Sequence, residues 1–215
     1  MIIINLILLT LFLLNYIIFW TVMIKRSDKR TNLFYYYKKI FPIVWIICIN
    51  TIPFLNSSFL EPYFSENIGY LRLYWIWFLL LGIIFLAVGF RIYSLIKKNL
   101  NSQQGDEKDY KLTTKGVYAI VRHPRCLSWL FIFIGSTFIL DSIIGLILIP
   151  LLVILIEING FLEEKYMLVP KHGEVYEHYK EKTPYRIISP PYNSLLFIIA
   201  IFVVYIGFIN YFQGI

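Results

Sequence analysis

Long, uninterrupted runs of apolar residues are the feature that most constrains how this chain can fold. About 20 helical residues are enough to cross the hydrocarbon core of a bilayer. Four runs of roughly that length occur, at residues 2–24, about 40–60, about 70–96 and about 194–212. Two shorter runs lie between Leu127 and Ile158 and are divided at Asp141, which predicts a tight helical hairpin with arms of marginal length. We therefore expect an all-α, polytopic membrane helix bundle of about six transmembrane helices, including this hairpin, with cytoplasmic amphipathic helices.

The composition also supports a membrane protein. Hydrophobic residues make up 59% of the chain and charged residues 15%, whereas a soluble domain carries roughly 25% charged residues. The net charge of +7 would suit a nucleic-acid-binding protein, but the basic residues flank the apolar runs and do not gather on one helix. We therefore expect the bilayer as a partner and no nucleic acid.

Basic residues predict the orientation in the membrane. The first apolar run has no basic segment before it and no small-residue cleavage site after it, so we expect it to be retained and not removed as a signal peptide. With Met1 outside, the inward segments at about 25–39, 91–126 and 159–189 hold 19 of the 20 Lys and Arg residues. Because loops rich in Lys and Arg stay in the cytoplasm, both termini are predicted to lie outside the cell. The polar surface that carries the function is predicted to face the cytoplasm.

Two cytoplasmic stretches concentrate the polar groups, YKLTTKGVYAIVRHPRC at 110–126 and EEKYMLVPKHGEVYEHYKEKTPYRIISP at 163–190. Both flank the hairpin, so both are expected at its cytoplasmic mouth, where loops can build a pocket. The chain accordingly divides into N-terminal transmembrane helices at 1–100, pocket-forming segments around the hairpin at 101–190, and a C-terminal transmembrane helix at 191–215.

The first stretch carries signals for a short helix followed by the start of a longer one. Thr113 or Thr114 is suited to cap the short helix, and Gly116 permits a tight bend. Pro124 suits the first turn of the longer helix, which begins the hairpin.

Arg122 and His123 come immediately before that second helix, whose free backbone N–H groups favour an anionic group. In one interpretation they bind a charged ligand. In the other, Arg122 and Arg125 anchor the chain at lipid headgroups and His123 caps the helix. The residues alone leave both interpretations open.

The second stretch predicts two short amphipathic helices that break near residues 170–173, with Tyr176 and Tyr179 on one face of the second. Glu163 and Glu164 follow an apolar helix, where an unpaired carboxylate is costly and therefore indicates a function. The alternative is that one of these glutamates pairs with a nearby lysine. Three histidines without clustered carboxylates or thiolates argue against a metal site.

These stretches resemble motifs of the isoprenylcysteine carboxyl methyltransferase and phospholipid methyltransferase family of integral membrane methyltransferases. LTTKGVYAIVRHP is similar to the family's L-x-T-x-G-x-Y-x-x-x-R-H-P motif. The paired glutamates followed by GEVYEHYKEKTPYRIISP resemble its E-E, G-x-x-Y-x-x-Y and closing arginine-to-proline segment. The resemblance covers about 80 residues, from Tyr110 to Pro190, in the same order and with a hairpin between the halves.

The resemblance implies S-adenosylmethionine as methyl donor, bound on the cytoplasmic side, and a lipid or lipid-like methyl acceptor. Glu163 and Arg186 would be catalytic, Glu163 by taking a proton from an amine acceptor and Arg186 by facing the acceptor. Glu164, or its neighbour Glu163, would contact polar groups of the cofactor. Tyr176 and Tyr179 would pack and close the pocket. The other cofactor-binding residues would be Tyr110, Lys111, Leu112, Thr113, Tyr118, His123, Pro124, Arg125 and Cys126.

Some positions depart from the family pattern. Cys126 stands where relatives usually have tyrosine, and Ser128 where they often have glycine; both changes keep the site small. Asn159 and Gly160 lie where relatives often carry an arginine that helps place a substrate carboxylate, which argues against a carboxyl acceptor. A phospholipid amine, a prenylated thiol or carboxylate and a small thiol all stay open as acceptors, and so does the oligomeric state.

Two other functions compete with methyl transfer. Membrane reductases of the steroid 5α-reductase type resemble this family in their C-terminal helices but use NADPH, and the R-H-P match favours the methyltransferase over them. A non-enzymatic membrane scaffold or transporter subunit is the third candidate. The small number of ionisable residues in the predicted spans argues against transport.

Overall fold

The computed structural model describes residues 2–25, 31–57, 75–101 and 112–188, together with the isolated positions 194, 198, 201 and 205. Every regular element in these ranges is helical, which confirms the predicted all-α class. Apart from those four positions, the predicted C-terminal transmembrane helix lies outside the described residues. The division into three segments remains a prediction.

Within the described ranges the helices are α1 Ile2–Lys25, α2 Thr31–Leu55, α3 Trp75–Asn101, α4 Pro124–Ile139, α5 Ile143–Glu163, α6 Val169–His172 and α7 Glu174–Lys182. A 3₁₀ turn, Gly116–Ala119, precedes α4, and a π-helical turn, Glu164–Leu168, joins α5 to α6. Four stretches are long and apolar enough to cross a membrane, and α4 is a shorter apolar helix. The four are Ile3–Lys25, Tyr36–Leu55, Phe78–Asn99 and Ile143–His172. The polytopic helical bundle is therefore confirmed.

The predicted hairpin is formed by α4 and α5 and turns at Asp141. Asp141 has a φ of +53°, which aspartate tolerates because its short side chain bonds locally. Ser142 caps α5, since its hydroxyl accepts a hydrogen bond from the Gly145 N–H at 3.3 Å. The expectation that both arms are marginal in length was wrong for the second arm. The helix that starts as α5 continues through the π turn and α6 as one apolar span of 30 residues, Ile143–His172.

The predicted break near residues 170–173 occurs at Gly173. This glycine has a φ of +53° and separates α6 from α7. Pro170 does not break the helix, and it follows directly after the π-helical turn, where the regular α-helical hydrogen-bond pattern is already interrupted. The prediction of a separate amphipathic helix before Gly173 was therefore wrong, since that stretch continues α5.

Side-chain hydrogen bonds join α1 to α2 within the apolar region. Asn5 and Asn56 exchange two amide hydrogen bonds of 3.1 and 3.0 Å. Trp45 Nε1 donates to the Tyr16 hydroxyl at 2.8 Å, and both side chains are buried. Because lipid tails offer no hydrogen-bond partners, polar groups in a membrane stabilise the bundle by bonding across helices.

Small residues allow the backbones of α3 and α4 to touch. A Cβ atom on Gly135 would lie 2.7 Å from the Gly82 carbonyl oxygen and 2.7 Å from the Leu86 nitrogen. Further along the same interface, Ser128 Oγ donates to the Gly89 carbonyl at 2.9 Å. Helices in lipid associate through such close van der Waals contact and hydrogen bonding. This interface positions α4, and with it the residues at its N-terminus.

Gly135→Leu should force α3 and α4 apart, because the new side chain would collide with backbone atoms of α3. We expect the purified protein in detergent to lose about 1–3 kcal/mol of unfolding free energy or more. Thermal unfolding followed by circular dichroism measures this loss. Ala87→Leu, on the exposed side of α3, is the matched control and should unfold like the unmodified protein. Equal stability of both variants would contradict this packing.

Candidate active site

Gly116 and Pro124 direct the chain into the candidate site. Gly116 has a φ of +66° and opens the 3₁₀ turn, and α4 begins at Pro124 as predicted. The predicted cap by Thr113 or Thr114 was wrong. Because the turn starts at Gly116, its N-cap is Lys115, which makes no side-chain capping bond.

The Glu164 carboxylate is buried at the start of the π turn, between three cationic side chains. Arg122 Nε donates to Oε1 at 2.8 Å and Arg122 Nη2 to Oε2 at 3.4 Å. Arg186 forms a second bidentate contact, in which Nε donates a hydrogen bond to Oε1 and Nη2 donates one to Oε2, both at 3.2 Å. His123 Nε2 lies 3.1 Å from Oε1. Two guanidinium groups and one imidazole therefore hydrogen-bond to the two oxygens of a single carboxylate. Bidentate bonds between guanidinium and carboxylate are strong and directional.

The segment that follows α7 is bound to Arg122 and His123 through its backbone. The Arg122 N–H donates to the Tyr185 carbonyl at 3.0 Å, and the His123 N–H donates to the Arg186 carbonyl at 2.8 Å. Arg122 Nη1 donates to two further carbonyl oxygens of this segment, each at 2.7 Å. The two polar stretches therefore meet, as their positions on either side of the hairpin predicted.

Arg186 crosses α5 at Gly160 to reach a second carboxylate. A Cβ atom on Gly160 would lie 2.7 Å from Arg186 Cδ, so a larger residue would displace the arginine. Arg186 Nη1 donates to Glu157 Oε2 at 3.1 Å, and its guanidinium carbon lies 5.7 Å from the centroid of the Phe161 ring. Arg186 thereby links buried Glu164 to Glu157, whose side chain is 36% exposed.

His123 carries a positive charge at neutral pH. Burial by itself lowers the pKa of this imidazole, but the hydrogen bonds and negative charges of Glu163 and Glu164 outweigh burial and raise the pKa of His123 to about 9. Glu163 Oε2 lies 3.5 Å from His123 Nδ1. We call the six charged residues the Glu164 assembly: Arg122, His123, Arg186, Glu157, Glu163 and Glu164. Its positive and negative groups balance, which makes its burial tolerable.

Tyr176 and Tyr179 of α7 pack beside this assembly, with their rings edge to face at 5.8 Å. The Tyr179 hydroxyl donates to the Tyr118 carbonyl at 2.6 Å and so ties α7 to the 3₁₀ turn. Burial raises the pKa of both α7 hydroxyls. The Tyr176 hydroxyl is buried, and among the described residues it has no hydrogen-bond partner.

The structure brings four of the predicted site residues together, namely Glu163, Glu164, His123 and Arg186. The others lie along the entry to α4: half-buried Leu112, Thr113 and Tyr118, buried Pro124, exposed Arg125 and half-buried Cys126. Tyr110 and Lys111 fall outside the described residues. The roles of all these residues remain predictions. In the described part of the chain, no three His, Cys, Asp or Glu side chains are grouped to hold a metal ion.

Sequence reasoning did not assign Glu157 to the site, and it left the role of Arg122 open between ligand binding and headgroup anchoring. Arg122 reaches Glu164 across 42 residues of sequence, which no local pattern reveals. Glu157 does carry a signal, because it is an ionisable residue within an apolar run. It also precedes Glu164 by seven residues, about two helical turns, and therefore lies on the same helix face.

Glu164→Gln should strongly destabilise the protein, because Arg122, His123 and Arg186 would share a buried site without the carboxylate that bonds all three. We expect a loss of about 3–5 kcal/mol of unfolding free energy, measured by thermal unfolding in detergent. Glu181→Gln is the control, because its carboxylate is 76% exposed and pairs only locally with His178. It should change stability by less than about 0.5 kcal/mol. A similar loss in both variants would contradict the central place of Glu164.

The protonated state of His123 should make stability fall at alkaline pH. The folded-state pKa of about 9 exceeds the ordinary value of 6.5, so the contribution of His123 is fully present below about pH 6.5 and is lost as the pH rises through about 9. The melting temperature should decline over that interval. His123→Gln should flatten this part of the profile. An equally steep decline in the variant would assign the effect to another group.

Comparisons with known proteins support the methyltransferase resemblance of the sequence motifs. Residues 76–173 match the phospholipid methyltransferase family. The protein-S-isoprenylcysteine O-methyltransferase of Schizosaccharomyces pombe is 31% identical over 77 residues, which are 36% of this chain and 33% of that relative. The matched region thus spans about a third of the curated relative. No solved structure gives a significant match. Both matches support the resemblance of this chain to the isoprenylcysteine carboxyl methyltransferase and phospholipid methyltransferase family of membrane proteins.

Proposed function

We propose that this protein transfers a methyl group from S-adenosylmethionine to a lipidic or small apolar acceptor at the cytoplasmic boundary of the membrane. The observation that carries this proposal is the Glu164 assembly. It joins the R-H-P residues, the paired glutamates and the closing arginine segment of the family motifs into one charged site beside the second half of the apolar span Ile143–His172.

The chemistry of the assembly suits this donor, which carries a carboxylate, an ammonium and a sulfonium. Arg122, His123 and Arg186 are positive groups, and the Glu163 side chain is a half-buried carboxylate that is 32% exposed. The buried Tyr176 hydroxyl, unpartnered within the described ranges, is a further polar group that a bound molecule could satisfy. When bound, the donor would supply a methyl group on a positively charged sulfur.

The roles of the chain's own residues follow from their contacts. Both oxygens of Glu164 are engaged by protein groups, so we propose that Glu164 acts by holding His123 and Arg186 in place. Glu163 is the more accessible carboxylate and would contact the donor or accept a proton from an amine acceptor. Arg186 would face the acceptor. The residues that would line the donor site are Tyr110, Lys111, Leu112, Thr113, Tyr118, His123, Pro124, Arg125 and Cys126.

A site at the membrane boundary serves two different substrates. The apolar acceptor would enter sideways from the bilayer, and the water-soluble donor from the cytoplasm, where the distribution of Lys and Arg predicts this end of the helices to lie. The protein then has to align the reacting atoms and exclude water, which is the main requirement of a displacement reaction.

Binding of S-adenosylhomocysteine to the purified full-length protein tests the proposal. We expect it to raise the melting temperature and to give a calorimetric binding signal, and we expect NADPH to do neither. Glu163→Gln should weaken this binding by about tenfold, equivalent to about 1.4 kcal/mol. The melting temperature of the ligand-free variant is measured alongside, because Glu163 also pairs with His123. Stabilisation by NADPH alone would assign the protein to the steroid 5α-reductase type, and no response to either ligand would favour the scaffold.

A further inference from the structure

Arg91 is an exposed cation in a helix that could span the membrane. It lies in the apolar stretch Phe78–Asn99 of α3. Within the described part of the chain, no hydrogen bond, ion pair or ring contact involves its guanidinium. A charge in an apolar span needs a partner of opposite charge or a path for its side chain to the lipid headgroups. The partner of Arg91 must therefore come from the surroundings of α3.

The two sides of α3 differ in what they contact. The near side packs on α4 through Gly82, Phe85 and Gly89. An α-helix advances about 100° per residue, so six residues lie on the opposite side, and all six are exposed. We call these six the far face of α3: Leu80, Ile84, Ala87, Arg91, Ser94 and Lys98.

The far face changes from apolar to cationic along the helix. Leu80 and Ile84 come first and are 47% and 57% exposed. Arg91, Ser94 and Lys98 follow at spacings of three and four residues, which places their side chains in one row. A phospholipid has the same order, with apolar acyl chains followed by a charged phosphate. The far face therefore matches a lipid along its length.

The cationic part of the far face lies level with the start of α4. Ser128 Oγ donates to the Gly89 carbonyl at 2.9 Å, and α4 begins at Pro124, one turn before Ser128. Because α3 and α4 run in opposite directions, Arg91 lies beside this first turn, and Lys98 lies about two turns further in the same direction. The distribution of Lys and Arg predicts this end to be cytoplasmic, and the cytoplasmic leaflet is the one that carries anionic lipids.

The charges of the far face favour an anionic group. No acidic residue occurs between Trp75 and Asn101, so α3 does not neutralise its own cations. The Arg91 guanidinium offers planar donors that match phosphate oxygens, the Ser94 hydroxyl offers another donor, and the Lys98 ammonium adds a compact charge. Arg91 and Lys98 are about 10 Å apart along the helix, a separation that two long side chains can close over Ser94. A zwitterionic headgroup suits this row less well, because its own cation is repelled.

We propose that the far face of α3 binds an anionic phospholipid of the cytoplasmic leaflet. Arg91, Ser94 and Lys98 hold its phosphate, and Leu80 and Ile84 contact its acyl chains. This lipid is a bound ligand and not a methyl acceptor, because the far face is turned away from α4 and from the Glu164 assembly. The inference does not depend on the methyltransferase function proposed above. The bound lipid fixes the depth of α3 in the bilayer and, through the close contact of α3 with α4, the depth of the hairpin.

Titration of the purified full-length protein with single lipids tests this inference. Native mass spectrometry counts the lipids that stay bound and gives an apparent Kd for the first one. The probe is phosphatidylglycerol, which is anionic and has no amine, and the comparison is phosphatidylcholine with the same acyl chains. We expect phosphatidylglycerol to bind at least about tenfold more tightly and to raise the melting temperature of the protein in detergent.

Variants of α3 separate a discrete site from general surface charge. Arg91→Gln and Lys98→Gln should each weaken phosphatidylglycerol binding by about fivefold, the effect of about one basic side chain at an anionic surface. Arg91→Lys should retain part of the affinity. Lys97→Gln is the matched control, because it removes the same charge from the same end of α3 on a different side of the helix. Its affinity should stay within about twofold of the unmodified protein, and all four variants should unfold like it without added lipid, since these side chains are exposed.

Other results would overturn the inference. Equal affinities for phosphatidylglycerol and phosphatidylcholine would show that the far face does not select an anionic lipid. Equal losses in Lys97→Gln and Lys98→Gln would assign the binding to general surface charge. A smaller assembly in Arg91→Gln with unchanged lipid affinity would assign the far face to contact with a second copy of this chain.

Discussion

The buried carboxylate of Glu164 determines how the rest of the candidate site is arranged. A charge near hydrocarbon is costly unless opposite charges and hydrogen bonds surround it. Arg122, His123 and Arg186 provide both, and they come from the entry to α4 and from the segment after α7. The hairpin and that segment must therefore be in place together before the carboxylate is satisfied, which couples the folding of the site to the folding of the bundle.

Close packing behind the assembly gives it a rigid frame. The contact between Gly135 and Gly82 fixes α4 against α3, and α4 carries His123 at its N-cap. On the other side, Gly160 leaves the space that Arg186 needs to cross α5. Glycines thus serve packing at both places, because a single methyl group would disturb the helix contact or the path of the arginine.

Features that depend on local pattern were predictable from the sequence. Apolar runs indicated α1, α2 and α3, and the polar interruption at Asp141 indicated the hairpin turn. The errors arose where the structure overrides local propensity. Pro170 is accommodated just after the π-helical turn, so the helix continues to His172 where a break was expected. The 3₁₀ turn starts at Gly116, so neither threonine before it serves as the cap.

The amino-acid sequence by itself determined the membrane-spanning character, the hairpin and the two polar stretches with their family motifs, because these depend on residue type and short-range spacing. Only the tertiary structure decided which charges meet. The bonds of Glu164 to Arg122 and Arg186 join residues 42 and 22 positions apart, and the contact of Arg186 with Glu157 makes a second, partly exposed carboxylate part of the site. Hydrogen bonds and ion pairs act over a few ångströms, and such distances are set by how the helices pack.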